Sequence, residues 1–190
     1  MPTDALNAAH RARLIEIVRE RSYGTGVEIK LASGRTSSFY FNMKPTMLHP
    51  EGAHLIGTLM AAALSGEPID LVGGLEMGAV PVATAVAMAS ASGARPLPAF
   101  FVRKQAKGHG TQSLIEGLVR GDTIAGKRVA ILEDVTTTGG SALQAIHAVR
   151  AEGAEVVLAM TIVDRLEGAQ DAFRAAGIRF EALLTHDDFT

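Results

Sequence analysis

From residue 50 onward the chain alternates helix-like and strand-like segments, and this alternation limits the possible fold more than any other feature. Helical spacing of apolar residues marks 51–65, 78–92, 140–152 and 168–176, while short branched apolar runs mark 69–73, 97–103, 128–132, 155–163 and 178–184. Such alternation predicts crossover units: an α/β fold with a mainly parallel central sheet and helices on both faces. The runs Val129–Leu132 and Val156–Val163 are almost wholly apolar, as strands covered on both sides are. Upstream, Leu6, Leu14, Ile17 and Val18 predict an opening helix over 4–22, stopped by Gly24 and Gly26. Val27–Leu31 and Ser37–Asn42 flank Ser33, Gly34 and Arg35 and predict a hairpin outside the alternating pattern. With 190 residues and no internal repeat, one domain over 1–190 is expected.

The charge balance excludes several function classes. A formal net charge of −2 provides no global positive field for nucleic acid or an anionic membrane, so any anion site must be local. Cysteine is absent, which removes disulfides, thiolate nucleophiles and thiolate metal sites. Asp4, Arg11, Arg13, Glu16, Arg19 and Glu20 break any apolar centre of an export signal, and a cytoplasmic location is expected. The uncharged stretch between Glu76 and Arg95 is rich in Ala, Gly and Ser and contains Pro81. It reads as a buried helix rather than a membrane span.

The most informative string is Arg128 to Ala145, RVAILEDVTTTGGSALQA. Four apolar residues form a strand, the acids Glu133 and Asp134 end it, and Thr136, Thr137, Thr138, Gly139, Gly140 and Ser141 lead into a helix. Successive backbone N–H groups, small residues, hydroxyl donors and a helix N-terminus are what a phosphate monoester requires. Acids at the carboxyl end of a parallel strand suit ribose hydroxyls or a hydrated metal. An ordinary strand, capped turn and helix with two solvated acids has the same pattern. Neither Gly-x-x-x-x-Gly-Lys-Ser/Thr nor a helix-opening Gly-x-Gly-x-x-Gly occurs, which removes support for NTPase and dinucleotide readings.

A second string, Lys104 to Gly117, KQAKGHGTQSLIEG, fits neither period and reads as a mobile loop over about 104–117. Arg103, Lys104, Lys107 and His109 lie together there, interleaved with Gly108 and Gly110. Cations on a glycine-hinged loop can close over a polyanion and exclude water, although a solvated basic turn looks the same in sequence.

The strand, acid pair and Thr/Gly-rich turn resemble those of the type I phosphoribosyltransferases. The string from Val102 to Gly110 is similar to the catalytic loop of the orotate phosphoribosyltransferases, and Ile115-Glu-Gly to the segment after it. This resemblance implies a type I phosphoribosyltransferase-like fold, with a small hood from residues of about 1–45 and the C-terminal part. It implies a reaction of orotate with phosphoribosyl pyrophosphate to give orotidine 5′-monophosphate and pyrophosphate, in the pyrimidine (UMP) pathway. It further implies that Lys104, Lys107, His109 and Asp134 are catalytic. Arg103, Lys104, Lys107 and His109 would bind the donor's pyrophosphate, Glu133 and Asp134 its ribose hydroxyls, and Thr136 to Ser141 its 5′-phosphate, with Val135 also in the donor site. Mg²⁺ would be carried by the donor and water, with no direct protein ligand. The loop would reach into the neighbouring subunit of a homodimer.

The hairpin string Ser33 to Asn42 also resembles the family's base-binding segment. Tyr40, Phe41, Thr137 and Arg165 are the implied orotate contacts. Many relatives carry a Lys where Ala32 stands, and Lys30, on the same strand face, is expected to serve instead. Core packing for the aromatics and an ion pair with Asp164 or Glu167 for Arg165 are the competing readings. Gly73 to Gly78 resembles the family's pyrophosphate loop, with Met77 where some relatives carry a Lys. Glu76 lies there for a hydrated Mg²⁺, and Lys44 lies where relatives are basic. A phosphoribosyltransferase for another base and a non-catalytic regulator that senses the same donor share the phosphate turn.

Overall fold

The computed structural model describes residues 2–30, 36–105 and 113–190, with side chains for all of these except 2–3, 27–30 and 36. Helix α1 (Pro2–Arg21) opens the chain and the hairpin β1 (Tyr23–Lys30) and β2 (Thr36–Phe41) follows. Then come α2 (Lys44–Met47), α3 (Pro50–Leu64), β3 (Leu71–Gly73), α4 (Ala79–Ser90), β4 (Phe101–Val102) and β5 (Ile115–Glu116). The remainder is β6 (Arg128–Thr136), α5 (Gly140–Ala151), β7 (Glu155–Asp164), α6 (Ala169–Ala175), β8 (Arg179–Thr185) and a 3-10 turn, His186–Phe189.

Strands β3, β6, β7 and β8 lie side by side in that order, all parallel. The predicted strand over 97–103 is regular only at Phe101–Val102, because Pro96 and Pro98 carry no N–H for a ladder. Its backbone still runs parallel beside β3: Val72 N–H donates to Pro98 O (3.0 Å), Phe100 N–H to Val72 O (2.9 Å) and Val102 N–H to Gly74 O (2.8 Å). From β3 the chain therefore moves outward to 98–102 and returns to β6 on the other side. The gap between β3 and β6 is the topological switch point, where open parallel sheets bind ligands.

Alternation along β6 sends Val129 and Ile131 to one face and Ala130 and Leu132 to the other, all four fully buried. One face packs under α1, α3 and α4, and the other under α5 and α6. Each such Ile or Leu stabilises the fold by roughly 1.5–3 kcal/mol.

Three local expectations are corrected. Gly24 and Gly26 do not stop α1; they lie inside β1, since Asn42 N–H donates to Ser22 O (2.9 Å) and Tyr23 pairs with Phe41, so cross-strand pairing captures the chain first. The acids do not end their strand, because β6 runs on through Thr136, with Glu133 opposite Thr161 and Thr136 opposite Asp164. The segment 104–117 is not wholly loop: its end forms β5, antiparallel to β4, and Arg103 N–H donates to Leu114 O (2.8 Å). The short helix α2 was not marked by periodicity. Its buried Met43, Thr46 and Met47 seat it against the core, with Thr46 Oγ1 2.6 Å from Ser22 Oγ.

The hairpin and the C-terminal turn meet in an aromatic cluster. Phe41 lies 5.0 Å from Tyr23 and 5.1 Å from Phe189, centroid to centroid. Arg11 holds the turn from α1 through both oxygens of Asp188 (2.9 and 2.7 Å).

At the amino edge of the sheet, Asp70 accepts from the backbone N–H (2.9 Å), Nε (3.1 Å) and Nη2 (2.8 Å) of Arg128. These bonds hold the Asp70 carboxyl down at about 2. A depressed carboxyl adds stability above its unfolded value, near 4, and loses it as pH falls toward its folded value. Asp70→Asn is expected to lower urea-unfolding stability at pH 7 by about 1 kcal/mol, a figure discounted for the partly exposed pair. The gap between variant and wild type should narrow at pH 3.

Candidate active site

Strand β6 outruns β3: their pairing ends at Gly73 opposite Ile131, while β6 continues to Thr136. Beyond that point β6 is paired only on its β7 side, and Glu133 and Asp134 line the opening. A cleft of about 260 Å³ results, bounded by Lys44, Leu75, Glu76, Met77, Gly78, Lys104, Glu133, Asp134 and Ser141. At Gly78, just before α4, a β-carbon would fall 2.5 Å from Asp134 Oδ1 and 3.1 Å from Glu133 Oε1, so a larger residue there would displace the acids. The α4 N-terminus therefore lies against the two acids, and its partial positive charge favours them.

Glu133 is buried, and its Oε2 has no hydrogen-bond partner. Burial pushes its carboxyl well above the usual carboxylate range, and the neighbouring charge of Asp134 adds to the effect; Lys104 opposes it. Thr136 Oγ1 is likewise buried without a partner. Unsatisfied buried polar atoms are costly in a structure that serves only itself and ordinary where a ligand completes the bonds.

The turn after β6 enters α5 through Gly139, whose φ of 85° is left-handed and whose missing β-carbon would meet the Phe173 ring at 3.1 Å. Helix geometry leaves the first N–H groups of α5 without intrahelical partners, facing the end where Thr137 to Ser141 gather. Ser141 lines the same cleft as the acid pair, so the structure brings the predicted turn and acids together.

On the opposite wall, the Lys104 backbone N–H donates to Glu76 Oε1 (2.9 Å), which fixes the start of the basic segment against the loop after β3. Arg103 turns along that segment's own stem, with Nε donating to Gln105 O (3.2 Å) and Nη1 3.9 Å from Glu116. Lys107 and His109 lie outside the described residues, as do Ala32, Ser33, Gly34 and Arg35; of Lys30 only the backbone is described.

Beside the turn, the Arg165 backbone N–H donates to Thr136 O (2.9 Å). Its buried guanidinium donates from Nε to Glu167 Oε1 (2.8 Å) and from Nη2 to Ser37 Oγ (3.1 Å), so the ion pair with Glu167 exists but is not at the surface. Next to it, Leu166 holds a left-handed φ of 60°, and its N–H donates to Asp164 Oδ1 (2.9 Å). Burial raises the Asp164 carboxyl. Strand alternation places Tyr40 and Phe41 on opposite faces: Tyr40 lies over Gly24 and is exposed, while Phe41 joins the aromatic cluster. The aromatic beside Arg165 is Phe39, with the guanidinium 4.4 Å from its ring centroid.

Reading of the sequence passed over Phe39, although its two-residue spacing from Phe41 was the available signal. Gly78 entered only as the end of the string that resembles a pyrophosphate loop, and no local pattern connects it with Asp134. Among the described residues, no group of three His, Asp or Glu could hold a metal ion.

The phosphoribosyl transferase domain matches residues 47–173. An orotate phosphoribosyltransferase of Bradyrhizobium diazoefficiens is 58% identical over 182 residues, covering 96% of this chain and 97% of that one. One from Rhodopseudomonas palustris is 57% identical with the same coverage. The chain belongs to the orotate phosphoribosyltransferase family. Crystal structures of the Mycobacterium tuberculosis orotate phosphoribosyltransferase agree in fold. The complex with Fe(III) dicitrate has a TM-score of 0.82 at 44% identity, and the complex with 5-phospho-α-D-ribosyl 1-diphosphate 0.77 at 40%. Each covers 95% of this chain and 98% of the other. Family membership confirms the α/β fold read from the sequence, a parallel sheet between helices.

A raised carboxyl binds its proton more tightly in the folded chain than in the unfolded one, so its contribution to stability falls as pH rises from the ordinary carboxylate range. Glu133→Gln keeps the shape and removes that cost. Its thermal midpoint should exceed that of wild type at pH 8 and by less at pH 4.5, when followed by calorimetry.

Proposed function

We propose that the chain transfers the phosphoribosyl group of phosphoribosyl pyrophosphate to orotate, yielding orotidine 5′-monophosphate and pyrophosphate for UMP synthesis. The observation that carries this reading is the buried acid pair at the switch point, joined to a glycine-entered helix start on one side and to Lys104 on the other.

In this reading the carboxylates of Glu133 and Asp134 accept hydrogen bonds from the ribose hydroxyls and fix the sugar. Backbone N–H groups and hydroxyls from Thr136 to Ser141, with the α5 N-terminus behind them, hold the 5′-phosphate. Lys104, helped by Lys107 and His109, neutralises charge that develops on the departing pyrophosphate as the bond between C1 and oxygen lengthens. Mg²⁺ carried in by the donor would supply further charge neutralisation in the cleft lined by Glu76, Glu133 and Asp134. Arg165 presents a planar fork to the carboxylate of orotate, with Thr137, Tyr40, Phe41 and Lys30 as its companions around the ring. Orotate N1 then attacks the cation-like sugar carbon. Positioning and charge supply the rate enhancement, and no covalent enzyme intermediate is invoked.

A homodimer that shares the basic segment between subunits fits the way β4 and β5 tie the two ends of that segment into a stem. We also place the enzyme in the cytoplasm; no helix among the described residues is long and apolar enough to cross a membrane.

Loss of orotate absorbance in the presence of donor and Mg²⁺ measures the reaction directly, and adenine, hypoxanthine and uracil in its place test the choice of base. Turnover is expected with orotate alone. Lys104→Ala and Lys107→Ala should each lower kcat by about a hundredfold or more while the folded circular-dichroism spectrum is kept. Turnover with another base, or unimpaired lysine variants, contradicts the assignment.

A further inference from the structure

Arg165 is held by more than its ion pair. Its guanidinium carbon lies 4.4 Å from the Phe39 ring centroid, and the His186 ring stacks on Phe39 at 3.7 Å with planes 11° apart. One six-membered ring has no room on a single face for both planar groups, so Phe39 is sandwiched between Arg165 and His186. The same guanidinium donates through Nη2 to Ser37 Oγ (3.1 Å) and approaches Phe39 O (3.5 Å), on the strand that carries the ring. Behind the sandwich, His186 opens the C-terminal turn, which Arg11 and Arg19 fasten to α1.

We infer that Phe39, fixed from behind by His186, is a positioning residue for base recognition: it holds the Arg165 guanidinium in one plane for contact with the carboxylate of the pyrimidine substrate. The inference rests on the role given to Arg165 above. An Arg with three rotatable bonds beyond its β-carbon samples many orientations, and a bidentate contact to a carboxylate uses few of them. Stacking on an aromatic face removes most of that freedom at little cost in hydrogen bonding, since the donors stay in the ring's parallel plane. The Glu167 ion pair alone fixes one edge and leaves rotation about it. Phe39 supplies the second constraint, and the backbone bond from Arg165 N–H to Thr136 O keys both to the phosphate turn.

Steady-state kinetics of the full chain test this with Phe39→Leu, Phe39→Tyr, Arg165→Ala and the double variant Phe39→Leu/Arg165→Ala. Phe39→Leu is expected to raise the KM for orotate about tenfold and to leave the KM for phosphoribosyl pyrophosphate within about twofold. Phe39→Tyr, which keeps the ring face, should restore the orotate KM to within about twofold of wild type. In the Arg165→Ala background, Phe39→Leu should add less than about twofold, because a residue that acts through Arg165 has nothing left to position. If Phe39→Leu does not fold, Phe39→Met fills similar volume without a ring and carries the same expectation. Equal changes in both KM values, or additive effects in the double variant, overturn the inference and leave the proposed reaction standing. A wild-type chain that does not turn over orotate overturns the reaction itself, and an Arg165→Ala variant with an unchanged orotate KM overturns the role of Arg165 and with it that of Phe39.

Discussion

Two adjacent carboxyls, one of them buried, are an expensive thing to build into a sheet, and the rest of the molecule is arranged around tolerating them. Glu133 loses hydration and faces the charge of Asp134. Nothing in the free chain repays this fully, since Glu133 Oε2 has no partner. The partial remedies are all local: the α4 N-terminus brought close by Gly78, the charge of Lys104, and a strand end left open on one side. Cost in the free protein that a ligand's hydroxyls relieve is how stability is exchanged for binding. The same groups in a self-sufficient core would be replaced by apolar residues with little penalty.

The opening exists because of chain order rather than any special residue. After β3 the chain travels out to 98–102, and the next long strand, β6, is placed on the far side of β3. Loops leaving neighbouring strands at a switch point diverge, so no crossover covers the space above them. The α4 end, the β6 acids and the turn before α5 converge there, and Arg165, one strand further along, is tied into the same rim by its bond to Thr136 O. Through Ser37 and Phe39 the rim is also joined to the hairpin, which the sheet itself does not contact through strand pairing.

Most of this was legible in sequence because it is local. Alternating periods gave the sheet and helices, and the order of apolar run, acids, threonines and glycines marked the strand, turn and helix start within one continuous segment. What escaped was set by pairs distant along the chain. Glycines 24 and 26 looked like helix terminators, yet pairing of Tyr23 with Phe41 decided their state. Pro96 and Pro98 were hidden inside an apolar run, and only the hydrogen-bond pattern beside β3 shows a strand that pairs without being regular. Phe39 was overlooked in favour of Tyr40 and Phe41 because a string of three aromatics does not reveal which face meets Arg165. The contact with His186, from the far end of the chain, has no local trace at all.

The charge of the cleft carries the final step. Its lining holds Glu76, Glu133 and Asp134 against Lys44 and Lys104, so the described walls are not net positive, and the chain as a whole is slightly negative. With the Glu133 carboxyl raised by burial, such a cleft gives a bare polyanion little net attraction. It admits one whose charge is already shared with a cation, and it grips that ligand only when further positive charge is brought to it. Under the proposed reaction both conditions hold: the pyrophosphate arrives with Mg²⁺, and the basic segment beginning at Arg103 and Lys104 completes the neutralisation. In that proposal, binding of the sugar and stabilisation of the departing charge would be the work of different elements, β6 for the first and the segment after β4 for the second.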